Sequence, residues 1–181
     1  MMNSHPIILA SIVFLLVIMF AFQKKVNLCH LFCKQLQVFR NDRTGKISLW
    51  DIISFILIPI IVSLLIVLGL SYQIDTQLAE ILTTVFSLVF TILFGFAAVI
   101  VEKSENNDSK RKRVIGETFV SIVTSTVLSL FAAISSILLT KIDNRVGISI
   151  LSVVVFALSF HIVMLLLMIT KRTFIIYCGN E

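Results

Sequence analysis

The chain is 181 residues long, 58% hydrophobic and only 14% charged, with a mean hydropathy of +1.05 and a formal net charge of +5. Soluble domains are about half apolar and about a quarter charged, so both departures point to a protein that lives in lipid. The residues outside its apolar runs are too few and too scattered to bury a second core, which excludes a soluble enzyme domain, and the hydrophobicity excludes intrinsic disorder.

A membrane-crossing helix needs about 20 mainly apolar residues. Five stretches meet that length or come close, which predicts an all-α polytopic bundle of five spans. The first runs from Pro6 to Phe22 behind an uncharged start and lacks the basic region and cleavage site of a signal peptide, so it reads as an anchor, residues 1–22. If that segment only lies in the interface, four spans remain. Residues 23–51 follow. No glycine or proline occurs from Ile7 to Arg40, so a helix can continue inward, and Leu28, Cys29, Phe32, Cys33, Leu36 and Phe39 group on one face of it. Such a helix can lie on the inner leaflet, pack on its own bundle or face a cytoplasmic partner. Asn41 to Gly45 carries turn chemistry, and Ser48 to Asp51 looks like the cap of the second span, with Trp50 at headgroup level.

Span two covers Ile52 to Tyr72, where Pro59 interrupts the hydrogen-bond ladder and, with Gly69, predicts a kink. A tight link, Gln73 to Gln77, leads to span three, Ile81 to Val101. Residues 102–117 then form a basic loop whose SENNDSKRKR segment reads as polar and mobile. Span four runs from Thr118 to Thr140, a second tight link covers Lys141 to Val146, and span five runs from Gly147 to Thr170 before the tail, residues 171–181.

Lysine and arginine concentrate in short cytoplasmic segments. All of the 15 basic residues but Lys141 and Arg145 fall on one side when the five spans alternate, which predicts the N-terminus outside and the C-terminus in the cytoplasm. Lys24, Lys25, Lys34, Arg40, Arg43, Lys110, Arg111, Lys112 and Arg113 are therefore expected to meet lipid headgroups or a cytoplasmic partner. The run at 110–113 has no interleaved aromatics and sits beside a span, so direct nucleic-acid binding is not expected. Cys29, Cys33 and Cys178 fall on the same side, where thiols stay reduced.

Polar groups within the spans are the most informative residues, because each is costly there. On span three, Glu80, Thr84, Ser87, Thr91, Gly95, Ala98 and Glu102 share one face; on span four, Glu117, Ser121, Ser125, Ser129, Ala132 and Ser136 do the same. Two facing helices with such seams can use them for close packing, or can line a wet path that the carboxylates bias toward cations. Glu102 and Glu117 are expected near each other at the cytoplasmic end, neutralised by Lys103 and Arg113. His161, near the middle of span five, must find a partner inside the protein, either a hydroxyl of another helix or as part of a proton-sensitive switch. Cys29-His30-x-x-Cys33 lacks a second ligand pair and fits packing better than zinc. No phosphate-binding loop, H-E-x-x-H or nucleophile elbow occurs, so neither enzymatic activity nor a metal or other cofactor is expected.

The basic segment FRNDRTGKISLWD, running into the proline-broken span IISFILIPIIVSLLI and then a Ser/Thr-rich hairpin, resembles small multi-pass membrane components of bacterial antiphage systems, such as the membrane subunit of Kiwa. The resemblance covers Arg40 to Thr140, although that family is expected to have four spans where this chain shows five. It implies a sensor or effector in the bacterial inner membrane, homo-oligomeric and partnered with a cytoplasmic protein. A bacteriocin immunity protein and a small cation channel or transporter are the alternative classes.

Overall fold

The computed structural model describes residues 28–39, 49–102 and 109–178. Among them every regular element is helical. α1 is Leu28–Val38. α2 is composite: a helical start Leu49–Ile52, a π-helical turn Ile53–Leu57, an α-helical stretch Ile58–Leu64 and a second π-turn Leu65–Gly69. α3 is Thr76–Glu102, α4 is Ser109–Leu139 and α5 is Arg145–Cys178. α2 to α5 are long and apolar enough to cross a membrane, as expected for spans two to five. The proposed first span, Pro6 to Phe22, lies outside the described residues, as do the turn at 41–45, Ser48, and Lys24, Lys25, Arg40, Arg43 and Lys103. α4 begins at Ser109, not at Thr118, so Ser109 to Arg113 form its first turns rather than part of a loop.

α4 is the centre of the bundle. Of its most apolar stretch 56% is buried, against 17% for α2, 17% for α3 and 22% for α5. α3, α5 and α1 all pack on it, while α2 packs on α5. In water the most apolar helix would take the centre. Lipid is as apolar as leucine, so helices here associate through close backbone approach, and the hydroxyl- and alanine-rich helix goes inside. Ala132 of α4 and Ala79 of α3 are fully enclosed, in a core shared with Phe86, Leu128, Val155 and Ile162. A second core, nearer the α1 end, joins Leu93, Ile100, Ile115, Ile122 and Ile169.

The two short links are tied down. The side chain of Asp75 accepts the Leu78 N–H at 2.8 Å, capping α3, and that of Asn144 accepts the Val146 N–H at 3.1 Å, capping α5. Ile74 is buried, and its N–H donates to Ser152 Oγ at 3.1 Å; the Gln73 amide donates to Ser149 Oγ at 2.6 Å. These bonds hold the α2–α3 link against the start of α5.

α2 ends on Ser71 at φ 51, a left-handed conformation that favours glycine. The following N–H, of Tyr72, bonds back to Ile66 O at 3.2 Å, a wider closure than an α-helical end makes and consistent with the π-turn before it. Ser71→Gly is expected to stabilise the protein by about 0.5 kcal/mol, the relieved strain being partly offset by glycine's greater freedom when unfolded. A rise in melting temperature in detergent checks this; a fall would show that the serine side chain itself is needed.

Candidate functional site

The two seams do not face each other. On α4, Thr118, Ser121, Thr124, Ser125, Ser129 and Ser136 have no exposed surface. On α3 the packed positions are Ala79, Phe86, Leu93 and Ile100, spaced by seven, whereas Glu80, Thr84, Ser87, Thr91, Gly95, Ala98 and Glu102 are all exposed. At 100° per residue the α3 stripe lies almost opposite its packed face. The expectation of a shared seam is therefore corrected: only α4's seam faces the bundle, and α3's points away from it, between Leu88, Ile92 and Phe94, which are exposed as well. Sequence periodicity locates a stripe but not its direction, because in lipid both directions are apolar.

The hydroxyls are satisfied locally. Ser121 donates to Glu117 O at 3.0 Å, Ser125 to Ser121 O at 2.9 Å, Ser129 to Thr126 O at 2.8 Å and Ser136 to Ala132 O at 2.9 Å. On α3, Thr84, Ser87 and Thr91 likewise donate to Glu80 O, Thr83 O and Ser87 O. With its hydroxyls turned onto the backbone and no exposed surface, the α4 seam is a packing surface. It does not line a wet path within one copy of the chain.

Among the described residues, two polar ties between helices bear on the site. At the first, Pro59 has no N–H to offer the carbonyl four residues earlier, that of Phe55, which sits in the first π-turn. His161 of α5 supplies the missing donor, with Nδ1 2.5 Å from Phe55 O. A carbonyl can only accept, so the nitrogen facing it carries the hydrogen. The expected histidine partner was a hydroxyl of another helix; it is instead a backbone carbonyl on another helix, four residues before a proline that has no N–H to give it. The buried Ser63 hydroxyl in turn donates to Pro59 O at 2.6 Å. The expected irregularity of α2 thus takes the form of two π-turns flanking the proline segment.

The second tie is ionic. Glu117 accepts from Arg113 Nε at 3.0 Å, one turn away, and from Arg172 Nη1 of α5 at 3.0 Å. Arg172 Nη2 also donates to Val38 O at the end of α1, at 3.3 Å. One guanidinium therefore joins α1, α4 and α5. Arg113 was expected beside Glu117, but Arg172 was not; the signal for it was an arginine just beyond the last span, on the same membrane side as Glu117. Phe39 at the end of α1 meets Phe55 with ring centroids 5.0 Å apart, so the two ties converge through neighbouring groups.

α1 packs through Gln35, Val38 and Phe39, which are buried, with Leu28 and Leu31 half-buried. The apolar face read from the sequence, for which leaflet, bundle and partner all stayed open, is divided: Leu28 and Phe39 pack on the bundle, whereas Phe32, Cys33 and Leu36 are exposed. Leu31 and Val38 widen the apolar surface of this helix, and the bundle takes its other edge. The Gln35 amide is buried on that edge without a hydrogen-bond partner, as is the Thr173 hydroxyl. Of the basic residues expected at this end, Lys34, Lys112 and Arg113 are exposed, and Lys110 and Arg111 belong to the first turn of α4. Cations at a helix N-terminus oppose the helix dipole, so folding does not explain them. Among the described residues no group of three or more His, Cys, Asp or Glu is placed to hold a metal ion.

Compared with known proteins, the chain matches no family model, no curated protein and no solved structure.

Proposed function

We propose that this protein is a non-enzymatic membrane sensor or effector component that assembles with copies of itself through α3 and works with a cytoplasmic partner held at its basic end. The observation that carries this reading is the outward stripe of Thr84, Ser87, Thr91, Gly95 and Ala98, set opposite the packed face of α3. Small and hydroxyl-bearing residues let helix backbones approach closely, and close approach is what drives association in lipid. The bundle leaves that surface unused. The cations opening α4 supply the second half of the reading, since at a positive helix end they suit an acidic partner surface. Membership of a bacterial antiphage system, with an inner-membrane location and the basic end in the cytoplasm, rests on the resemblance of residues 40–140 to the membrane components of such systems and on the distribution of basic residues.

Replacing Ser87 and Thr91 together with leucine is expected to abolish self-association of the full chain in lipid vesicles, read by energy transfer between labelled copies. The melting temperature should stay within error, since neither residue touches the core. Undiminished energy transfer would remove α3 as the contact. For the partner, charge reversal at Lys110, Arg111 and Lys112 should abolish co-purification of the neighbouring gene's product in mild detergent. Deleting the gene should raise phage plating. Unchanged phage plating, with protection against a single pore-forming bacteriocin, would instead support an immunity protein.

A further inference from the structure

The uncovered edge of α1 carries Phe32, 38% exposed, Leu36, 36% exposed, and the Cys33 thiol. In water this edge would be turned against the bundle, yet the bundle side of α1 holds the Gln35 amide instead. The depth of α1 is fixed by its neighbours. Its C-terminal carbonyl, Val38 O, is held by Arg172 beside the carboxylate of Glu117, and Phe39 touches Phe55 in the first turns of α2. Trp50, 76% exposed, opens α2 at this same end of the bundle. Charged groups at helix ends and an exposed tryptophan mark the headgroup layer of a bilayer. Among the described residues the exposed cations at this end are Lys34 of α1, Lys112 and the ion-paired Arg113 of α4, and Lys171 of α5. An apolar belt begins on α2 with the exposed side chains of Ile53 and Leu57, on either side of Phe55, which Phe39 at the end of α1 meets.

We propose that α1 is an interfacial helix that docks its Phe32, Cys33 and Leu36 edge into the boundary between headgroups and acyl chains of an anionic leaflet, with Lys34, Lys112 and Lys171 at the phosphates. The three helix ends around Arg172 then move with the lipid surface as one unit. The occupant is lipid, not protein, for two reasons. The apolar edge belongs to a helix whose end meets the start of the exposed apolar belt of α2, and the flanking charge has the sign that anionic headgroups attract.

Cys33 lies on the edge in question and serves as the probe. Full-length protein with Cys29→Ser and Cys178→Ser is labelled at Cys33 with an environment-sensitive fluorophore and reconstituted in vesicles of phosphatidylethanolamine and phosphatidylglycerol. The expected result is a blue-shifted emission that lipids with brominated acyl chains quench and aqueous iodide does not. Shielding should weaken in phosphatidylcholine vesicles and at high salt. Lys34→Gln should lower the ratio of shielded to exposed probe in the anionic vesicles by about fivefold, the effect of one basic residue at such a surface. Equal iodide quenching in vesicles and after detergent unfolding would overturn the proposal by placing the edge in water. Shielding present in native membranes but lost in pure lipid would overturn it in favour of a second protein. Shielding lost when the chain is diluted in lipid would overturn it in favour of a second copy.

Discussion

Glu117→Ala is expected to lower the stability of the bundle by about 2–3 kcal/mol. The carboxylate bonds Arg113 and Arg172, each at 3.0 Å, and its side chain is 26% exposed, so solvent repays little of what is lost. Arg172 is more enclosed, at 18%, and a guanidinium at that depth deprived of its carboxylate is costly. Full burial would cost more; partial exposure places the figure at the low end of the range for broken buried pairs. The two arginines should not behave alike. Arg113 is 57% exposed and bonds within its own helix, so Arg113→Ala should cost about 0.5 kcal/mol. Arg172→Ala removes the only described link among α1, α4 and α5 at a single side chain and should approach the Glu117 value. Unfolding in mild detergent, followed by circular dichroism, gives all three numbers. Equal losses for Arg113 and Arg172 would show that the tie to α5 contributes nothing.

His161→Leu is expected to cost about 1.5 kcal/mol, because it removes a donor from a carbonyl to which Pro59, four residues on, can offer none. The cause can be isolated. In a Pro59→Ala background residue 59 regains an N–H, the Phe55 carbonyl recovers an intrahelical donor, and the histidine becomes largely dispensable. The same His161→Leu change should then cost only about 0.5 kcal/mol, a coupling of about 1 kcal/mol between residues on different helices. Equal costs in the two backgrounds would mean that the imidazole stabilises by packing alone.

What the sequence disclosed, and what it withheld, follows from the solvent. Span lengths are set by bilayer thickness, so α2 to α5 could be read from apolar runs alone. Their ends could not, because a helix such as α4 continues into polar residues from Ser109 once its backbone bonds are in place. The seams on α3 and α4 were legible as stripes, but burial of Ser125 and exposure of Thr91 were not. In water, polarity separates inside from outside. In lipid it does not, and only shape complementarity with neighbours decides. α1 shows the same ambiguity, with Leu31 and Val38 chosen for contact over Phe32 and Leu36. His161 and Pro59 were each visible as anomalies; that one compensates the other depends on the pairing of α2 with α5, which no local pattern encodes.

The self-contained bonding of α4 also bears on how the chain is made. Translation delivers α3 first, then α4, and α5 only afterwards. A helix whose serines needed acceptors on α5 would wait in the bilayer with bare donors. Here Ser121, Ser125, Ser129 and Ser136 are bonded to their own backbone, so α4 can leave the translocon, lie beside α3 and stand open to lipid on its other side without a stranded hydrogen-bonding group. The order of synthesis and the order of assembly are thereby uncoupled for the helix at the centre of the bundle.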